Sequence, residues 1–148
     1  MTDADVAAQA ERLSRRRARM LPVVAFIFLA QQATYFSGDR APRATDDVHI
    51  AAWLVLSSVL LIVLATGGGY IYPRVVREFA NDEVTRAHRS AAFGFGFFAS
   101  MIGCIALYAY DLFEPLSGRD AIHLVMTIGI AAALLRFGML ERRALKDD

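Results

Sequence analysis

Residues 50–72 read IAAWLVLSSVLLIVLATGGGYIY, a run of 23 residues that contains no charged side chain. A helix rises about 1.5 Å per residue, so roughly 20 apolar residues are needed to cross about 30 Å of hydrocarbon. The run lacks the strict alternation of apolar and polar residues that is typical of strands in a membrane barrel. It therefore predicts one membrane-spanning helix, which Pro73 ends at the water boundary.

Three other stretches of the chain are nearly as apolar, and they lie at 20–36, 91–110 and 121–140. None of them shows the polar stripe at helical period that a soluble helix bundle would need. The first is short and contains Gln31 and Gln32, and a secretory signal peptide is its alternative interpretation. The fold class that follows is all-α, an integral membrane four-helix bundle.

The composition of the 148-residue chain also favours a lipid environment. Hydrophobic residues make up 56% of it, charged residues 21%, and the mean hydropathy is +0.39; soluble domains have about 45–50% and about 25%. A net charge of +1 excludes strong global attraction to nucleic acid, so no direct nucleic-acid partner is predicted. The single cysteine, Cys104, excludes an intrachain disulfide and a Cys-based zinc site.

Lysine and arginine residues are divided unequally between the two sides that four spans define. Thirteen of the 16 lie on the side of the two termini, and three lie on the other side. Because positive residues are retained in the cytoplasm, both termini are predicted to be cytoplasmic. The single domain, 1–148, is then divided into a cytoplasmic segment 1–19, span 20–36, a periplasmic loop 37–49, span 50–72, a cytoplasmic loop 73–90, span 91–110, a periplasmic loop 111–120, span 121–140 and a cytoplasmic tail 141–148.

Two Asp-x-x-His sequences, Asp46 to His49 and Asp120 to His123, open the second and fourth spans 74 residues apart. The separation is half the chain, so the sequence allows two hairpins of the same orientation. Each aspartate is predicted to be a helix N-cap. If these spans face each other, the two histidines meet, and neutral imidazole binds haem iron or zinc. A haem-binding electron carrier is therefore one alternative function, and two unrelated interfacial histidines are the plainer interpretation, which needs no cofactor.

Residues suited to catalysis or to proton-coupled transport are scarce in this sequence. Cys104 lies in an apolar span, where a thiol is inert, and Ser57 and Ser58 have no base nearby in the sequence. No aspartate or glutamate lies inside a predicted span, so a proton-coupled transporter has no evident carrier. We therefore predict no catalytic activity, and a small membrane transporter stays an alternative.

Small residues recur at four-residue spacing in the third and fourth spans. Gly96, Ser100 and Gly103 lie on the third span, and Gly129 lies on the fourth. Small side chains let helix backbones approach closely in lipid, where the hydrophobic effect no longer drives association. These residues are predicted to pack helices together, either inside one chain or in a homo-oligomer.

Charged residues on the cytoplasmic side are the predicted binding surface. Arginines next to the membrane attract anionic headgroups by about 1 kcal/mol per charge. The start of the third span is predicted to be a capped, charged helix. The predicted function is a non-catalytic interaction or regulatory protein that presents this surface to a partner protein or to anionic lipid. The residues assigned to it are Arg15, Arg16, Arg17, Asp82, Glu83, Arg86 and Arg89.

The sequence from Asn81 to Arg89, Asn-Asp-Glu-x-x-Arg-x-His-Arg, precedes a span rich in glycine and phenylalanine. This pattern resembles small four-span bacterial inner-membrane proteins of uncharacterised activity, although Val84 stands where an arginine is frequent in that group. The resemblance implies a bacterial inner-membrane location and the four-span architecture. It also implies regulation, because some such proteins are thought to restrain a cytoplasmic transcription regulator.

Overall fold

The computed structural model describes residues 3–37, 46–69, 73–76 and 81–147, and these residues form helices joined by turns and short irregular segments, with no strand among them. The all-α fold class is therefore confirmed. A short helical turn covers residues 74–76. The long helices are α1 (Asp3–Ser37), α2 (Asp46–Thr66), α3 (Glu83–Asp111) and α4 (Gly118–Asp147).

Three of these helices are long and apolar enough to cross a membrane, over Val48–Thr66, Glu83–Asp111 and Gly118–Lys146. Large apolar side chains point outward from them, as Ile105 does on α3 with 70% of its surface exposed. Outward apolar side chains of this size are costly in water and favourable in lipid. The structure is thus compatible with a membrane protein that has at least these spans.

The helices are longer than the predicted spans and continue into the segments between them. The described residues of the predicted segments 1–19 and 20–36 form one continuous helix, α1. Parts of the predicted loops 37–49, 73–90 and 111–120 are helical, as is most of the tail 141–148. Apolar length marks only the part of a helix that lipid can cover, whereas caps and charged turns prolong it into water. The predictions for residues 38–45, 70–72 and 77–80 lie outside the described residues.

Helix α4 is central in the fold. It packs against α1 and α3 over much of its length and against α2 at fewer positions. Leu134 and Phe137 on α4 join Phe28 of α1 and Leu64 of α2 in the main buried cluster. A duplicated hairpin would pair α1 with α2 as α3 pairs with α4, but the described part of α1 packs mainly on α4 instead. The 74-residue repeat is therefore not reproduced by the packing.

Glycines set the close approach of α3 to α4. A Cβ atom added at Gly96 would lie 2.7 Å from the Gly129 carbonyl oxygen and 2.9 Å from the Ala133 Cβ. One added at Gly103 would lie 3.2 Å from Ile128 Cδ1, and one at Gly129 would collide with the Ser100 hydroxyl. The predicted small-residue stripe thus faces a helix of the same chain, where it serves the internal bundle.

Helix α1 contacts α4 where Pro22 packs against Gly138. Pro22 lies inside α1, where its ring removes one backbone hydrogen bond. A Cβ atom added at Gly138 would lie 2.6 Å from the Pro22 Cδ. The missing side chain of Gly138 therefore makes room for the proline ring, and α1 and α4 stay in contact on both sides of this point.

Candidate functional site

One end of the fold carries most of the arginines, and a buried arginine lies inside it. We call this the arginine-rich end; it comprises residues 12–19 of α1, 81–89 and 141–146 of α4. Only 4% of the Arg17 surface is exposed. Its Nη2 donates a hydrogen bond of 3.2 Å to the Asn81 Oδ1. This contact ties α1 to the turn that precedes α3.

The end of α2 lies against the same hydrogen bond. Gly67 and Gly68 have φ angles of +66° and +69°, which end the helix in a conformation that glycine adopts without steric cost. The Gly68 N–H donates to the Val63 carbonyl at 2.9 Å. A Cβ atom at Gly67 would lie 3.0 Å from the Asn81 Oδ1 and 3.2 Å from the Arg17 Nη2. Glycine at position 67 therefore lets Arg17 and Asn81 pack directly on the end of α2.

The start of α3 is fixed by a cap and by a hydrogen bond between His88 and Glu141. Asp82 is the N-cap, since its Oδ1 accepts a 2.8 Å hydrogen bond from the Thr85 N–H. Two turns later the His88 Nδ1 lies 3.1 Å from the Oε1 of Glu141 on α4. Only 4% of the Glu141 residue is exposed, so its carboxylate is held inside the protein beside His88. The contact joins α3 to the last turns of α4.

Burial lowers the pKa of the Arg17 guanidinium below its usual value, because removal from water disfavours the charged form. The carboxylate of Glu141 acts in the opposite direction, and the nearby positive charge of Arg89 adds to the lowering. Glu141 thus favours the charged form of Arg17. We define the buried polar network as the buried Arg17 and Glu141 with their half-buried hydrogen-bond partners, Asn81 and His88.

The predicted binding residues divide into exposed and internal ones. Arg15 and Arg16 on α1 and Asp82, Glu83 and Arg86 at the start of α3 are exposed. Of these, Arg15 pairs with Glu11 one turn earlier, with Nη2 and Oε1 2.5 Å apart.

Two of the predicted binding residues are less exposed than a surface role requires. Arg89 is half-buried, and Arg17 is buried. The prediction that Arg17 belongs to the surface is wrong, because the buried face of α1 passes through it.

The signal for a buried Arg17 was present in the spacing of α1. Its buried residues Val6, Ala10 and Leu13 recur every three or four positions, and the series continues through Arg17 and Leu21. This spacing follows one face of a helix. Extending the series along the same face reaches Gln32, which is also buried. No spacing in the sequence marks Asn81, His88 and Glu141 as members of one site, because the partner of each lies on another part of the fold.

A second buried polar cluster lies at the opposite end, where α1, α2 and α4 meet. His123 and Gln32 form a hydrogen bond between Nε2 and Oε1. The rings of Trp53 and His123 stack with centroids 4.1 Å apart and planes inclined by 20°. Ser57 and Thr127, one turn along from Trp53 and His123, are also buried, and their hydroxyls accept or donate no hydrogen bond within the described residues. The buried residues described in this cluster include no acid. Its polar side chains belong to three helices, and such side chains can form hydrogen bonds between membrane helices.

The two histidines that were considered as a haem or metal pair lie in different surroundings. His49 is exposed, whereas His123 is buried against Gln32 and Trp53. In the part of the chain that the structure describes, no group of three or more His, Cys, Asp or Glu could hold a metal ion. His123 is thus engaged by Gln32 and Trp53, whereas His49 faces outward.

The two predicted aspartate caps also have different outcomes. The side chain of Asp46 is outside the described residues. At α4, the Asp120 N–H donates to the Ser117 Oγ at 3.1 Å, while the Ser117 hydroxyl donates to the Asp120 Oδ2 at 2.8 Å. Ser117 is thus the N-cap, and Asp120 completes the reciprocal pair three residues later. The prediction that Asp120 itself is the N-cap is wrong by three residues.

Comparisons with protein-family models, with curated proteins and with solved structures give no match to this chain. At the arginine-rich end the buried polar network links α1, α3 and α4. Exposed cations and two exposed acids, Asp82 and Glu83, surround it. Such an end is suited to binding charged groups.

Proposed function

We propose that this chain is a non-catalytic, multi-pass protein of a bacterial inner membrane, whose arginine-rich end binds a cytoplasmic protein. The observation that carries the proposal is the buried polar network. Through Arg17, Asn81, His88 and Glu141 it joins α1, the start of α3 and the end of α4. Charged side chains next to it are therefore presented from fixed backbone positions, which lowers the entropy lost on binding.

The proposed topology has four spans, with both termini in the cytoplasm. The first span is residues 20–36 of α1, where Phe26 and Ile27 expose 72% and 59% of their surfaces, as lipid-facing side chains do. The bias of 13 in 16 lysines and arginines supports a cytoplasmic arginine-rich end. The resemblance of the sequence around Asn81 to small inner-membrane proteins supports the same location and a regulatory role.

The proposed partner has an acidic surface. The exposed charges of α1 are mostly arginines, among them Arg16. At the start of α3 the exposed Arg86 lies beside the exposed acids Asp82 and Glu83. Complementary charge speeds encounter and selects among partners, and its effect weakens as salt screens it. Binding should therefore fall as ionic strength rises.

Neutralising the exposed charges is expected to weaken partner binding at least tenfold. The test compares the wild-type protein in lipid nanodiscs with a triple variant, Arg12→Gln, Arg16→Gln and Arg86→Gln, which removes three exposed cations. A partner is first captured by cross-linking in cells, then identified, purified and titrated against both proteins. The matched control is His49→Ala with Arg119→Gln, which changes exposed residues at the opposite end.

The proposal predicts that the control variant binds within twofold of the wild type. Equal affinity of the triple variant and the wild type would contradict it. So would failure to capture a soluble protein through residues of the arginine-rich end.

A further inference from the structure

A groove between α1 and α4 lies at the arginine-rich end, and Arg12, Arg16 and Arg86, whose substitution tests partner binding, do not line it. Its volume is about 810 Å³. Arg15 and Arg19 line it from α1, and Arg142 and Lys146 line it from α4. In each helix the two cations are four residues apart, so each pair lies on one helix face. The two pairs therefore face a shared space.

Among the described residues that line this groove, Glu11 is the one acid, and its carboxylate is paired with Arg15. Arg19, Arg142 and Lys146 form no ion pair within the described residues, and Arg19 and Arg142 are exposed. Cations gathered in one concave surface repel one another, and an anion placed between them removes that repulsion. The groove is therefore suited to a group with more than one negative charge.

Apolar side chains also line the groove. Pro22 and Val23 line it one turn beyond Arg19, and Leu145 lines it from α4. Val23 exposes 51% of its surface, and the exposed Phe26 and Ile27 continue this surface along α1. The groove thus leads from cations to an apolar helix face within a few turns. A lipid fits this arrangement, because it has an anionic headgroup for the cations and acyl chains for the apolar helix face.

We infer that this groove binds the phosphate headgroup of an anionic glycerophospholipid, with its acyl chains along the apolar face of α1. Guanidinium groups bind phosphate oxygens through paired N–H donors, and a lysine adds a point charge. Basic pockets between membrane helices on the cytoplasmic side have this chemistry. Because four cations line the groove, a lipid with two phosphodiesters should bind more tightly than a lipid with one.

The inference rests on the proposed function in one respect: the proposed topology places the groove at the cytoplasmic leaflet of the membrane. Its test therefore uses purified, delipidated full-length protein in neutral detergent, with no partner present. Native mass spectrometry measures binding of cardiolipin, phosphatidylglycerol and phosphatidylcholine. We expect affinity to fall in that order, with at least tenfold between the first and the last. A parallel titration with inorganic phosphate separates a lipid site from a site for free phosphate.

The decisive variant is Arg19→Gln with Arg142→Gln, one cation removed from each wall. Its control is Arg12→Gln with Arg143→Gln, which removes one exposed cation from each of the same helices outside the groove. We expect the groove variant to lose cardiolipin affinity at least tenfold and the control to stay within twofold. Circular dichroism checks that both variants keep the helical content of the wild type.

Three results would overturn the inference. They are equal cardiolipin affinity in the groove variant and its control, equal binding of cardiolipin and phosphatidylcholine, and displacement of cardiolipin by millimolar inorganic phosphate. If the groove variant unfolds, Arg19→Lys with Arg142→Lys takes its place, because it keeps both charges and removes the paired N–H donors of arginine. We expect its cardiolipin affinity to fall by more than twofold. An affinity equal to that of the wild type would contradict phosphate binding by these arginines. Failure of partner binding with cardiolipin affinity intact would overturn only the proposed function.

Discussion

Replacement of Arg17 by methionine is expected to lower the free energy of unfolding by about 3 kcal/mol, the cost of removing one partner from a buried ionic network. The variant leaves the Glu141 carboxylate buried with His88 alone, and it deprives the Asn81 Oδ1 of its donor. The matched control is Arg16→Met, which makes the same chemical change at an exposed neighbour. Unfolding by sodium dodecyl sulfate in mixed micelles, followed by circular dichroism, measures both.

The double variant Arg17→Met with Glu141→Gln tests the coupling between the two charges. Removing the second charge should recover at least half of the lost stability, because no ionised group is then left without its partner. Additive losses in the double variant would show that Arg17 and Glu141 act independently. Equal stability of Arg17→Met and Arg16→Met would contradict the buried position of Arg17.

Two glycine-to-alanine changes on α3 are expected to have opposite effects. At Gly94 an added Cβ meets no atom within 4 Å, so alanine should stabilise the helix by about 0.5–1 kcal/mol through its backbone entropy. At Gly96 the same atom would lie 2.7 Å from the Gly129 carbonyl oxygen, which belongs to a helix backbone and cannot turn away. We expect Gly96→Ala to destabilise by about 2 kcal/mol, the range for overpacked cores.

The comparison of these two variants isolates packing from helix propensity, since the sequence change and the helix are the same. Unfolding in mixed micelles again gives the free energies. If Gly96→Ala were as stable as Gly94→Ala, α3 would not approach α4 at Gly129. The two helices would then need a different arrangement in the membrane.

The apolar runs in the sequence were enough to predict the helices, because lipid solvation requires long uninterrupted apolar stretches. The same runs could not give the helix ends. Ser117 caps α4 through a reciprocal bond with Asp120, and Asp82 prolongs α3 beyond its apolar part. Such ends depend on local hydrogen bonds that hydropathy does not measure.

The candidate site was predictable only in outline. Exposed charges such as Glu83 and Arg86 follow from the sequence, because no apolar series includes them. Arg17 could have been recognised as buried from its register with Leu13 and Leu21, but a run of arginines suggested a uniform surface. The pairing of His88 with Glu141 joins residues 53 positions apart, and it needed the packing of α3 on α4.

The central claim is that four helices cross the membrane and that the arginine-rich end lies in the cytoplasm. Its most direct test is labelling of single cysteines with an impermeant maleimide in a Cys104→Ser background, before and after the cells are permeabilised. Ala7→Cys and Asp148→Cys report the two termini, and Phe113→Cys reports the turn between α3 and α4. The proposed topology predicts that only Phe113→Cys reacts in intact cells and that both terminal cysteines react after permeabilisation. Labelling of either terminal cysteine in intact cells would contradict it.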